Sequence, residues 1–320
     1  MKKLLGILVL GLIFFSTSAD AFTKTKKTKF KKGATISGQI VWDKRLKIDL
    51  DPGEWEVVDH WPWTVNAIHG KYVALAQMKG NIVDKFVEIE TVSVNGKWIG
   101  YLHDWFQEVF FKNKYDGCYD RPEYYLVERY KQGAAFNCFL IMHDDTQRNL
   151  FASDDPFAQP YTSIIRKWLR EKNYINPPIM LAAAHWFYSP PVGRLYTYEV
   201  WINPETHGAP KNKFTTEETS EYHRSNINNY PKKKKFMESF IGQQAYIHKK
   251  FEEMTDAKSY HKLDLDRYIN EKDIKKTIKA KTEISSSDTT EKLKDCVKLF
   301  KANDLTKKQF ENCKNKVLSQ

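Results

Sequence analysis

Turn signals set the architecture of the first third of this chain. Gly80-Asn81 and Asn95-Gly96 separate three segments rich in Val, Ile and aromatic residues: Tyr72–Met78, Lys85–Val94 and Trp98–Leu102. Asn-Gly between such segments is a strong hairpin signal, because a type I′ turn needs positive φ at both central residues. Strands joined in this way run antiparallel. Upstream, Ile36, Gly38, Ile40 and Trp42 alternate within Gly33–Trp42 as a first strand that carries a glycine. Pro52-Gly53 then turns the chain ahead of Trp55, Val57 and Val58. Four or five antiparallel strands are expected by residue 102.

The same pattern returns later. Tyr124–Tyr130 and Phe136–Met142 flank Lys131-Gln132-Gly133-Ala134 as a second hairpin, whereas Asp104–Phe111 fits helix and strand equally. In Arg194–Ile202, Tyr196, Tyr198, Val200 and Ile202 make one face wholly apolar, and Leu195, Thr197, Glu199 and Trp201 make the other mixed. One buried and one partly wetted face marks an antiparallel strand on a core. Ile179–Ala184 is an apolar core segment.

Two helices interrupt the strands. Ile164, Ile165, Trp168 and Leu169 form a helical stripe within Thr162–Asn173, with Thr162 or Ser163 as cap and Pro177-Pro178 beyond its end. Pro231 suits the first turn of a second helix running to about Met254, with Phe236, Phe240, Ile247 and Phe251 on one face. Lys232–Lys235 lie in its first turn, where positive charge opposes the helix dipole. Their position suggests a basic surface.

The Lys-rich, aromatic-free stretch 270–288, with Ser285-Ser286-Ser287, reads as a linker. Beyond it, Leu293, Cys296, Val297 and Phe300 form one helical stripe, and Phe310, Cys313 and Val317 a second. Ala302–Leu305 makes the turn between them, and Thr306 with Gln309 is a capping box. The division expected is a leader over 1–21, a basic disordered arm over 22–32, an α+β body over 33–269, the linker 270–288 and a helical hairpin over 289–320. The body is mainly antiparallel sheet with helices packed late in the chain.

Four cysteines permit three pairings. Proximity favours Cys118 with Cys138 and Cys296 with Cys313, each closing a loop worth about 3 kcal/mol in the chain-entropy picture. A hairpin as small as the last segment needs such a staple. Bridges require an oxidising compartment, and the N-terminus supplies the route. Lys2 and Lys3 precede an apolar run from Leu4 to Phe15, and small residues end in Ala19-Asp20-Ala21. That is the grammar of a cleaved signal peptide leaving Phe22 first, so a periplasmic or secreted protein is expected. No later apolar run reaches the roughly 20 residues a spanning helix needs.

The formal charge of +11 comes mainly from lysine. Nucleic-acid readers favour arginine, so nucleic acid is a poor candidate partner. The basic arm, with Lys at 24, 26, 27, 29, 31 and 32, fits an anionic membrane surface or another envelope component. Charge that only keeps the chain in solution is the alternative.

No HExxH, GxSxG, P-loop, GxGxxG or EF-hand sequence occurs, no histidines pair at metal-binding spacing, and no cofactor is implied. The best catalytic constellation is His143 and Asp144 at a strand end with His185 joining across the fold, where they would activate water directly, as in a hydrolase, or bind a divalent metal. The structural alternative makes Asp144 a turn residue and His185 a core histidine bonded to backbone. Trp61-Pro62-Trp63 beside His60, together with Trp98 and Trp105, offer either a ligand surface or core filler.

The terminal hairpin, Glu291–Leu318, resembles the short C-terminal module called SHOCT. The likeness rests on Leu293, Leu299-Phe300, Asp304-Leu305-Thr306-Lys307-Lys308-Gln309-Phe310, Lys314 and Val317-Leu318, with Gln309 where that family usually has an acid and with an added cysteine pair. The resemblance implies an appended interaction or oligomerisation module without catalytic residues. The body is similar in layout to a group of exported proteobacterial proteins of unknown function. That likeness rests on Pro52-Gly53-Glu54-Trp55, Tyr196 to Pro204 and Glu221 to Ile227, and implies no activity. The expected function is non-enzymatic binding at the cell envelope, with an exported hydrolase as the alternative. A chaperone using exposed aromatics is a third class.

Overall fold

The structure, a computed structural model, describes residues 27–43, 46–65, 68–94, 118, 120–122, 124–132, 135–146, 159–189, 194–213, 216, 218–255, 262–270, 294–302 and 306–318. The expected leader, the first part of the basic arm, Asn95-Gly96, Trp98–Leu102, Asp104–Phe111, Trp105, Leu293 and the linker from 271 lie outside the described residues.

Ten strands are present among the described residues: β1 (Thr35–Ile36), β2 (Gln39–Val41), β3 (Lys47–Asp49), β4 (Trp55–Val65), β5 (Ile68–Lys79), β6 (Ile82–Val94), β7 (Tyr124–Gln132), β8 (Ala135–Asp145), β9 (Ile179–Ser189) and β10 (Arg194–Ile202). Eight form one sheet in the order β1-β4-β5-β6-β10-β9-β8-β7, and β2 pairs with β3. Every pair within them is antiparallel. The chain winds outward from β4 to β6, resumes at the far edge with β7, and winds back until β10 closes against β6. With the helices that follow, this is an α+β fold.

Local chemistry accounts for most of these elements. Lys79 pairs with Ile82 across a two-residue turn, and Gly80 has φ of 65° at its first position. The single strand expected over Gly33–Trp42 is instead two, because Gly38 at φ 75° bends the chain between β1 and β2. Among the described residues six strands are therefore in place by Val94. On β10 the alternation is as read: Tyr196, Tyr198 and Val200 are buried, and Leu195, Thr197, Glu199 and Trp201 are half-buried.

Helix α1 (Gln159–Lys172) ends at Asn173, whose φ of 54° is the left-handed conformation asparagine tolerates. It lies on one face of the sheet, where Trp168 and Leu169 are buried. Its Trp168 Nε1 donates to Glu56 Oε1 at 3.1 Å, and Lys172 pairs with the same carboxylate at 3.2 Å. Helix α2 (Pro231–Met254) covers the opposite face. Met237, Phe240, Ile241, Ala245 and Phe251 join the buried side chains of that face in one core, completed by Ile40, Trp42, Leu46 and Ile48 of the β2–β3 hairpin. Each large apolar side chain buried there contributes about 1.5–3 kcal/mol. Gly242 sits where α2 crosses the short helical turn Asp266–Tyr268, and a Cβ on it would come 2.8 Å from the Tyr268 carbonyl oxygen.

Two expectations about lysine are corrected. Of Lys232–Lys235, Lys233 is buried, ion-paired with buried Glu221 and donating to the Lys211 carbonyl at 3.0 Å. Its stem reaches back off the helix, so it belongs to the core rather than to a basic surface. In the arm, residues from Thr28 onward are seated on the body. Thr28 N–H donates to the Val41 carbonyl, Phe30 packs 5.7 Å from Trp42, and Lys32 pairs with Asp59 at 2.9 Å.

Both disulfides join the cysteines that proximity favoured, Cys118–Cys138 and Cys296–Cys313. The terminal pair of helices comprises α3 (294–301) and α4 (Lys307–Leu318). The capping box forms, with Gln309 Oε1 accepting from Thr306 N–H at 2.9 Å and Thr306 Oγ1 accepting from Gln309 N–H at 3.3 Å. Phe300 and Phe310 stack at 4.6 Å beside the bridge. No helix among the described residues is long and apolar enough to cross a membrane.

Candidate functional site

Successive residues on a strand point to opposite faces, so strand register decides which side chains meet beneath α1. On that face, Glu88 of β6 lies directly opposite Glu199 of β10, and Phe86 opposite Trp201. On the next strand Ala184 pairs with Glu199 and Ala182 with Trp201. The alanines leave a hollow in the sheet surface, and α1 passes over it with Ile165, Trp168 and Leu169. The result is a cavity of about 320 Å³, lined on the sheet side by Phe86, Glu88, Met142, Asp144, Met180, Glu199 and Trp201.

Two like charges opposed across a strand pair repel. Burial pushes the Glu88 carboxyl up to about 8, and the charges of Glu199 and Glu90 push the same way, against a hydrogen bond from the Tyr72 hydroxyl. Burial likewise pushes Glu199 up to about 7. The Trp186 indole N–H, donating at 2.7 Å, works against that, and Glu90 and Asp144 work with it. At neutral pH the pair therefore retains a proton. The cavity is an apolar chamber with a protonatable pair in its floor, equipped to bind a small molecule and to exchange a proton with it.

A second polar cluster lies on the other face, between the sheet and α2. His185 Nδ1 is 3.1 Å from His248 Nδ1, and His248 Nε2 is 2.8 Å from Asn137 Oδ1. Asn137 Nδ2 donates to Glu252, which also accepts the Leu263 N–H at 2.9 Å. Gln244 closes the other end, its side-chain amide 3.2 Å from His185 Nε2. Burial lowers His185 to about 3 and, with His185 beside it, holds His248 well below the usual imidazole range. Both rings are neutral, so the protons can be placed. Asn137 donates to Glu252 and accepts from His248 Nε2–H. Gln244 Oε1 faces His185 Nε2 and accepts its proton, so in the neutral rings the two facing Nδ1 atoms are both left bare. The network ties α2 to β8 and β9.

The residues singled out in the sequence are separated by this geometry. His143 and His185 lie on the α2 face and Asp144 on the α1 face, because adjacent residues of β8 alternate. His143 pairs with Leu181, four residues along β9 from His185, about 13 Å at the usual strand rise. Asp144 lines the cavity, His143 packs edge-on to His223 at 5.5 Å, and His185 bonds to side chains rather than backbone. Trp61 packs on Tyr72 at 4.2 Å, and Trp63 covers Gly70 while donating to Glu90 at 2.9 Å. Glu88 and Glu199 escaped the sequence reading. Their signal was an acid inside an otherwise apolar strand, visible in Phe86-Val87-Glu88-Ile89 and in the mixed face of β10.

Among the described residues, no group of three or more His, Cys, Asp or Glu side chains is arranged to hold a metal ion. No family model matches the chain, and neither a curated protein nor a solved structure matches it.

Proposed function

We propose that this is an exported, envelope-associated binding protein that holds a small amphipathic molecule in the cavity between α1 and the sheet. The cavity itself carries the reading: about 320 Å³, within the range of small-molecule sites, which are mostly apolar with a few polar anchors. Two bridges and the leader-like N-terminus support an oxidising compartment outside the cytoplasm. Binding is favoured over hydrolysis at His143, Asp144 and His185, since those side chains do not converge.

Ligand-detected NMR of the mature protein against a set of small amphipathic molecules tests this. A companion variant, Ile165→Trp, fills the cavity from α1. Ligands that bind the natural chain and are lost in Ile165→Trp support the reading; ligands that bind both equally place the site elsewhere and end it. The envelope component has its own test. Deleting Phe22–Lys27 spares the seated Thr28 and Phe30 and should lower salt-sensitive binding to anionic vesicles. Unchanged binding would remove the arm from the account.

A further inference from the structure

The chemistry of the cavity wall narrows the class of ligand. The chain is strongly basic at +11, yet among the described residues no lysine or arginine lines this cavity, while Glu88, Glu199 and Asp144 do. The hydrogen bonds that reach Glu88 and Glu199 come from neutral donors, the Tyr72 hydroxyl and the Trp186 indole. Beside the carboxylates, on the same face of the sheet, stand aromatic rings. Phe86 and Trp201 meet edge to face at 6.0 Å, and Trp168 closes over them from α1. Aromatic faces attract cations, and most strongly those too poorly hydrated to prefer water. Rings plus carboxylates in an apolar chamber therefore complement an organic cation rather than a hydrated metal ion.

We infer that the cavity takes an organic cation, an apolar or aromatic body bearing a protonated amine or quaternary ammonium, seated against Glu88 and Glu199. This deepens the proposed function and rests on the cavity being the binding site. The empty pair holds a proton because two adjacent carboxylates cannot both ionise cheaply. An ammonium group brings the missing positive charge, so binding expels that proton to solvent and leaves a carboxylate paired with the ligand. No bond in the ligand changes. Affinity accordingly rises with pH until the pair is ionised without help.

The probe is benzyltrimethylammonium, whose charge does not depend on pH. It is compared with neopentylbenzene, in which carbon replaces the nitrogen, and with phenylacetate, by titration calorimetry and ligand-detected NMR at about pH 6 and about pH 8. The expected result is about tenfold or more preference for the ammonium over its neutral isostere, with no binding of phenylacetate. Affinity for the ammonium should be higher at pH 8, and proton release should be measurable by comparing buffers of different ionisation heat at pH 6. Glu199→Gln should weaken ammonium binding about tenfold while sparing neopentylbenzene. Glu88→Gln serves the same purpose if that variant folds poorly. Equal or tighter binding of neopentylbenzene overturns the cationic ligand and leaves the cavity reading intact. If none of the three probes binds, the cationic inference falls. Retention of all screened ligands by Ile165→Trp is the separate outcome that removes the cavity itself.

Discussion

His185 of β9 and His248 of α2 face each other through their Nδ1 atoms at 3.1 Å, both rings fully buried. Each ring also holds a polar partner of its own, Gln244 for His185 and Asn137 for His248. His248→Ala takes the Nε2–H away from Asn137 Oδ1 and leaves a cavity, and should cost about 3–5 kcal/mol. The double variant His185→Leu/His248→Leu removes both polar rings together and should be less destabilised than the two single changes predict. Urea denaturation of the four proteins in a double-mutant cycle measures the difference.

The same rings and the carboxylates on the other face make opposite demands on pH. The histidines have depressed values in the fold. The unfolded chain therefore binds more protons below about pH 6.5, and stability falls as the pH drops from there towards 3. Glu88 and Glu199 have raised values. Their contribution is complete below about pH 4.5 and is lost as the pH rises towards 7 and 8, at up to about 1.4 kcal/mol per pH unit for each group. Stability should thus peak in mildly acid solution. Glu88→Gln cannot ionise and should flatten the alkaline limb without moving the acid one. Midpoints of chemical denaturation between pH 4 and pH 9 would show it.

Much of this fold could be read locally. The start of α2 at Pro231, the alternation of β10, the capping box at Thr306 and the cysteine pairing all depend on residues near one another in the chain. Glu88 opposite Glu199 was out of reach, since it depends on β10 returning to pair with β6 after three intervening strands. No local pattern specifies which distant strand becomes a neighbour. Asp144 was a different case. Once His143-Asp144 was assigned to a strand, its two-residue period already put the side chains on opposite faces. Lysine composition concealed two further features: Lys233 is a core residue because Glu221 waits for it, and Thr28 and Phe30 hold down an arm whose charge suggested disorder.

The terminal hairpin depends on its bridge more than the body depends on Cys118–Cys138. Cys296 is buried, whereas Val297, Leu299 and Phe300 around it are exposed, so among the described side chains α3 and α4 have little apolar contact beyond the stacked Phe300–Phe310 pair. The replacement Cys296→Ser/Cys313→Ser removes about 3 kcal/mol of loop restraint and should unfold both helices. Amide exchange over residues 294–318 should become fast while the sheet stays protected. In Cys118→Ser/Cys138→Ser a similar restraint is lost, but β8 keeps its two neighbours, so the sheet should persist with a lowered denaturation midpoint.

Lys233 and Glu221 form an ion pair whose side chains are 4% and 3% exposed, deep enough that each charge depends on the other. Lys233→Met should destabilise the protein by about 3–5 kcal/mol, because it leaves Glu221 buried without its counter-charge. Adding Glu221→Leu removes the stranded carboxylate and should recover most of that loss, despite deleting the second half of the pair. The recovery has a limit set by the backbone. Lys233 also donates to the Lys211 carbonyl at 3.0 Å and to the Asn212 side chain, and the Lys213 N–H donates to Glu221 at 3.4 Å. The double variant therefore folds with a looser segment around residues 211–213, detectable as faster amide exchange there than in the natural chain. A double variant no more stable than Lys233→Met alone would show that the pair's hydrogen bonds to this segment, rather than charge compensation, dominate its contribution.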